Sequence, residues 1–250
     1  MAAVNHEIVD GIGRLVLARP NQSNSFDLPT AQDMAAAVEA VSGDEVRAVT
    51  LTAEGKRFSA GGDVNSFVTA EDPPAYLLEL ANVLEGALRD LADLSKPVVA
   101  GVRGAVAGAG LAVMLSADVI VAAESTKFVM AYPGIGLTPD CGVSYLVPRA
   151  VGQQRALEFA LTGRVLSAAE ARDWGLVTTV VADDEVEAKV EAIARTWADS
   201  APAALGQARR LIRSSWDRTG PESGADESAT IAAMVTTDEA QRLITAFTSR

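Results

Sequence analysis

Two short runs of small residues constrain this chain more than any other feature: Ser59-Ala60-Gly61-Gly62-Asp63 and Gly104-Ala105-Val106-Ala107-Gly108-Ala109-Gly110. Each follows a strand-like apolar run and leads into a helix-like one. Each therefore leaves backbone N–H groups uncovered at a helix N-terminus, where negative charge is favoured. One such loop alone is weak evidence, because most glycine-rich loops are merely turns. Two in the same chain point to a pair of backbone donors that could hold a developing oxyanion.

The 250 residues, 49% of them apolar, suffice for one large domain with a substantial core, read here as a single catalytic unit. Cys141 is the only cysteine and His6 the only histidine. No intrachain disulfide framework, histidine-rich metal cluster or histidine-based triad is expected, and a reducing, cytoplasmic setting is the default. No signal region is visible at the N-terminus. The longest apolar stretch, Ala105 to Ala117, is stopped by Asp118 and is too short to span a bilayer, so a soluble protein with no membrane partner is expected. A formal charge of −12 argues against nucleic acid as a partner. It also disfavours polyanionic ligands at long range, but screening over roughly 8 Å leaves local residues such as Lys56 and Arg57 in control.

The segment Glu7 to Leu17 reads as two short strands around a glycine turn. Leu28, Ala31, Met34, Ala35, Val38 and Val41 recur at helical spacing, with Gly43 as the expected cap. Val46 to Thr52 is a buried strand that delivers the chain to the first loop. After Pro73-Pro74, the leucines at 77, 80, 84, 88 and 91 mark an amphipathic helix, and Pro97 to Ala100 begins the strand before the second loop. Leu111 to Ser116 then reads as helix and Val119 to Ala123 as strand. This recurrence implies an α/β fold of stacked β-β-α or β-α units with buried strands. The last third is helical in spacing, and Gly220 to Ser228 is a polar break within it, read as an exposed connection.

With histidine nearly absent, proton transfer falls to a carboxylate, tyrosine, cysteine or lysine. Asp140 leads, because it sits in Gly134-Ile135-Gly136-Leu137-Thr138-Pro139-Asp140-Cys141-Gly142, whose tight turns and apolar side chains would desolvate a carboxylate and raise its pKa. The alternative is that Asp140 caps the helix beginning near Gly142. Asp63 has the same two readings, with capping of the helix after the first loop ahead of catalysis. Tyr132 either donates a hydrogen bond to substrate or packs. Cys141 lacks a cationic neighbour that would form its thiolate.

Arg19-Pro20 with Asn24, Phe58 through Asp63, and Gly104 through Gly110 followed by Ala117-Asp118 resemble the enoyl-coenzyme A hydratase/isomerase, or crotonase, superfamily. The likeness continues in order through Lys127-Phe128, Pro148-Arg149, Val151-Gly152, Leu161-Thr162-Gly163, Ala168-Ala169-Glu170-Ala171, Trp174-Gly175-Leu176-Val177 and Ala246-Phe247, and so covers essentially the whole chain. The resemblance implies a crotonase-like spiral of ββα units over residues 1–184 and a C-terminal helical region over 185–250 that mediates trimers, often paired into hexamers. It implies an acyl-CoA thioester substrate, with coenzyme A part of that substrate and no separate cofactor.

By the same resemblance the oxyanion hole uses the N–H groups of Gly62 and Ala109. The adenine end lies along Ser59, Ala60 and Asp63, and Phe247 and Arg250 approach a neighbouring subunit's site. Basic residues often stand in the family where this chain has Ser23 and Asn65. The two glutamates of the hydratases fall at Ala112 and Tyr132, two positions lining the acyl site, which argues against ordinary hydration. Dehalogenases of the superfamily carry a tryptophan in place of Tyr132 and a histidine in place of Glu85. Asp140 aligns with the base of several double-bond isomerases, and Ile135 to Gly142 resembles the 1,2-epoxyphenylacetyl-CoA isomerases, with Val143 where those have glycine. The resulting expectation is an acyl-CoA isomerase with Asp140 as sole acid and base, on a phenylacetate-derived ring or an unsaturated fatty acyl group. The alternatives are a hydratase-like lyase, a dehalogenase-like hydrolase, or an acyl-CoA-binding protein without catalysis.

Overall fold

The computed structural model describes residues 2–249. Strands β1 (Val4–Val9) and β2 (Ile12–Leu17) form a hairpin closed by Asp10 and Gly11, both at positive φ, the backbone that a two-residue turn requires. Helix α1 (Leu28–Ala40) begins where the Asp27 carboxylate accepts from the Thr30 N–H; it ends at Val41, so Gly43 lies beyond it and is not its cap. The chain continues through β3 (Ala48–Ala53), α2 (Val64–Val68), α3 (Pro73–Asp93), β4 (Val98–Val102), β5 (Ala105–Ala107), α4 (Ala109–Leu115), β6 (Val119–Ala123) and β7 (Lys127–Val129). Then come α5 (Val143–Val151), α6 (Gln153–Leu161), β8 (Val165–Ser167), α7 (Ala168–Trp174), β9 (Thr179–Val181), α8 (Val186–Ala198), α9 (Pro202–Ser214), α10 (Gly220–Met234) and α11 (Asp238–Thr248).

A six-stranded sheet runs in the order β1-β2-β3-β4-β6-β9, parallel except for the opening hairpin, and a three-stranded sheet runs β5-β7-β8. Successive turns of chain, β4-β5-α4 and then β6-β7-α5, leave one strand in each sheet, which is the expected spiral. Every residue of β4 is buried because both faces of the large sheet are covered. Val98, Ala100 and Val102 enter the main core, while Val99 meets Val121, Val186 and Val190 in a second one.

That second core places α8, the first helix after residue 184, directly on the sheet. Gly101 permits the approach, since a Cβ there would lie 2.8 Å from the Val190 side chain. Helix α9 is anchored by Arg209, whose buried guanidinium donates to Asp118 (2.6 Å) and to the carbonyls of Leu91, Ala92 and Leu94 at the end of α3. Carbonyls left unpaired at a helix C-terminus favour a cation. Asp118 also accepts from the Val98 N–H (2.8 Å) and pairs with Arg213 (2.8 Å), joining α9 to the strand that precedes the second loop.

The polar break expected at Gly220 to Ser228 is instead the first half of α10. Thr219 and Glu222 form a reciprocal capping box and Pro221 occupies the first turn, so local chemistry that looks like a breaker starts a helix. No residue of α10 or α11 is buried among those described; Ile231, Leu243, Ile244 and Phe247 stand in solvent. Among the described residues, no helix is long and apolar enough to cross a membrane.

Candidate active site

The two small-residue loops are stitched together by backbone. The Phe58 N–H donates to the Arg103 carbonyl (2.9 Å), Ser59 N–H to Ala105 (3.2 Å) and Ala107 N–H to Ser59 (3.0 Å), and Ser59 and Val106 form a parallel bridge. The outer side of the first loop is held in turn: Phe26 donates to Gly61 (2.8 Å) and Asp63 to Phe26 (2.8 Å). Asn24, buried and left-handed in backbone, braces this arrangement. Its amide donates to the carbonyls of Glu54 (2.9 Å) and Arg57 (2.8 Å), and its Oδ1 accepts from the Arg19 N–H (2.8 Å). Asparagine tolerates that backbone conformation better than most residues.

Gly61, at φ +93°, lies against the second loop; a Cβ would stand 2.9 Å from the Ala107 carbonyl oxygen and 3.2 Å from the Ala109 nitrogen. Around this contact the N–H groups of Gly61, Asp63 and Gly108 are all engaged within the protein. Among the described residues, those of Gly62 and Ala109 donate to nothing. Ala109 is the first residue of α4, where N–H groups lack intrahelical partners. Two backbone donors are thus left on adjoining loops.

Tyr132 borders the same place, its ring edge 3.9 Å from where a Gly108 Cβ would stand. It opens a 3-10 turn, Tyr132–Ile135, that reverses at Gly136, and the chain returns to place Asp140 beside it. The Tyr132 hydroxyl donates to Asp140 Oδ1 at 2.7 Å. Burial and the neighbouring carboxylate push the Tyr132 phenol far above the ordinary tyrosine range, so it remains a donor. Burial and Asp140 likewise push the Cys141 thiol up, which leaves it unsuited to nucleophilic attack. Helix α5 is preceded by Gly142 with no side-chain cap, so the Asp140 carboxylate is not a helix cap.

Several expectations change. The loop from Pro133 to Thr138 is exposed, with Ile135 55% accessible, so the apolar wrapping expected of it around Asp140 is absent; Tyr132 and the Cys141 turn are what flank the carboxylate. Ser59 is wholly buried, its hydroxyl donating to the Asn24 carbonyl (2.8 Å) and its backbone committed to the second loop, so it ties the loops together. Ala112 is buried within α4's core face. Asp63 precedes α2 but caps nothing with its side chain; its carboxylate pairs with Arg19 (3.3 Å). Ala60 is exposed beside Gly61, and Phe247 is 79% accessible on α11, where the expectation concerned a neighbouring subunit. Arg250 lies outside the described residues.

The Tyr132–Asp140 pairing was not read from the sequence, although the Tyr-Pro-Gly turn and Gly136 were its signal. A cavity of about 570 Å³ opens one residue beyond Asp140, between α3, α5 and α9, with Leu88, Cys141, Leu146 and Arg213 among its walls. Neither small-residue loop lines it.

A family model for enoyl-CoA hydratase/isomerase matches residues 7–250. The chain is 36% identical over 222 residues to 1,2-epoxyphenylacetyl-CoA isomerase of Escherichia coli (strain K12), covering 88% of this chain and 85% of that one. It is 36% identical over 188 residues to trans-2-decenoyl-[acyl-carrier-protein] isomerase of Streptococcus mutans serotype c, with 73% and 70% covered. Among solved structures, an enoyl-CoA hydratase of Mycobacterium smegmatis superposes with a TM-score of 0.93 at 26% identity, over 100% of this chain and 97% of the other.

Proposed function

The chain belongs to the enoyl-CoA hydratase/isomerase family, and from that premise we propose that it moves a double bond within an acyl-CoA thioester, with Asp140 as the single acid and base. The observation that carries this reading is one carboxylate beside two adjoining loops that keep two free N–H donors. Proton loss α to a thioester places negative charge on the thioester oxygen. The Gly62 and Ala109 N–H groups stabilise that enolate, each worth about 10²- to 10³-fold in rate by comparison with known oxyanion holes. Asp140 takes the proton from one carbon and returns it to another, so neither a second carboxylate nor an activated water is needed. Ala112, in a wholly apolar setting, and Tyr132, bonded to Asp140, offer no carboxylate to orient water, which favours isomerisation over hydration.

The exposed backbone around Ala60 and the Arg57 guanidinium, bonded to Ser23, are the surface along which the coenzyme A moiety would extend. No separate cofactor enters this chemistry. The similarity to the two isomerases supports either an aromatic-ring-derived or a fatty acyl group. The apolar residues in solvent on α10 and α11 support assembly into a trimer or hexamer, and the single buried thiol suits a cytoplasmic setting.

Deuterium exchange at the α and γ carbons of a panel of enoyl-CoA esters tests the assignment. Asp140→Asn should lower exchange by at least 10²-fold while thioester binding persists. Wild-type exchange in that variant would remove Asp140 from the mechanism, and tight binding without exchange in the native protein would favour a silent binding module.

A further inference from the structure

We propose that Tyr132 is a positioning residue that pins Asp140 through Oδ1 and leaves Oδ2 as the one oxygen that carries the shuttled proton; this rests on the isomerase reading above. The 2.7 Å hydrogen bond from the Tyr132 hydroxyl defines which oxygen is held. The tyrosine is itself immobilised: it is 8% exposed, belongs to the main core and has its ring beside Gly108, next to the Ala109 donor. A single rigid side chain therefore links the base to the second loop. The neighbouring thiol of Cys141, a weak donor, is directed to the Ala81 carbonyl at 3.8 Å.

This geometry bears on the fate of the proton. When Oδ2 removes the α proton, a C–H bond breaks, an O–H bond forms and the electron pair moves into the enolate. Returning that proton to the γ carbon breaks the O–H bond and forms a C–H bond, restoring the carboxylate. Because the phenol stays protonated, it donates to Oδ1 whether or not Oδ2 carries the proton. The carboxyl group need not rotate between the two steps. A carboxyl free to rotate would turn its proton toward solvent and lose it by exchange.

Tyr132→Phe keeps the ring and removes only the hydroxyl, so its packing is retained. With a 3-enoyl-CoA deuterated at the α carbon, wild-type product should keep a substantial share of the label at the γ carbon. Tyr132→Phe should lose most of that retained label to solvent and lower kcat about 10- to 100-fold, with KM changed less than about threefold. A merely structural role for the hydroxyl would not move label retention. Unchanged kcat and retention in Tyr132→Phe would overturn the positioning role while leaving Asp140 as the base. Wild-type turnover insensitive to Asp140→Asn would overturn the isomerase reading and this inference with it.

Discussion

Gly61 and Gly62 are adjacent glycines in one loop, yet the structure predicts opposite outcomes for adding a methyl group to each. At Gly61 a Cβ meets the Ala107 carbonyl oxygen at 2.9 Å, the Ala109 nitrogen at 3.2 Å and the Gly108 Cα at 3.3 Å, from a backbone at φ +93°. All three neighbours are backbone, so none can swing aside. Forcing an L side chain into left-handed backbone costs roughly 1–2 kcal/mol, and overpacking roughly 1–3 kcal/mol more. Gly61→Ala should therefore lose about 2–5 kcal/mol of unfolding free energy and push apart the loops that carry the two donors. Misplacement by about 1 Å costs on the order of 10²-fold in rate.

At Gly62 the added Cβ meets only Phe67 Cε1, at 3.6 Å, an ordinary contact, and the N–H is retained. Gly62→Ala should stay within about 1 kcal/mol of wild type and keep its exchange activity within about threefold. Urea unfolding of both variants, paired with α-carbon deuterium exchange on an acyl-CoA ester, measures both quantities. Equal behaviour of the two variants, or a wild-type Gly61→Ala, would refute the claim that backbone contact between the loops sets the donor geometry.

Two further outcomes follow from the ion pairs. Asp118→Ala strands the buried Arg209 guanidinium and frees the Val98 N–H, and should cost about 3–5 kcal/mol in a chemical denaturation experiment, against near-neutral replacement of the exposed Glu85 that pairs with Arg89. Glu170 is held down to about 2 from its ordinary 4.5, first by the Ser167 hydroxyl, then by the Ser167 N–H and Arg164. Its folded-state value is depressed, so its stabilising effect is complete above about 4.5 and is lost as pH falls through about 2. Carboxyl NMR titration should find that low midpoint, and Ser167→Ala should raise it; an unmoved midpoint would detach the capping box from the shift.

The α/β spiral was legible because its signals are local: apolar runs long enough for doubly covered strands, and glycines where two backbones touch. The assignment of Gly62 and Ala109 as donors rests on resemblance; among the described residues their N–H groups donate to nothing. Three features were hidden for physical reasons. Thr219-Gly220-Pro221-Glu222 combines residues that break helices in mid-course with a capping pattern that starts them, and only position along the helix distinguishes the two. The apolar character of Ile135 and Leu137 suggested burial, but their turn carries them into solvent. The enclosure of Ser59 depends on pairing with residues beyond position 100, a non-local contact invisible to any window along the chain.

The bridge between Ser59 and Val106 also bears on how the protein reaches its native state. It joins segments separated by α2, α3 and β4, so closing it costs loop entropy that is offset only when β4 docks beside β3. Parallel pairings of this kind form slowly, because local structure cannot supply them in advance. Contact between the two small-residue loops is therefore expected as a late event of folding, because no helix formed locally brings them together.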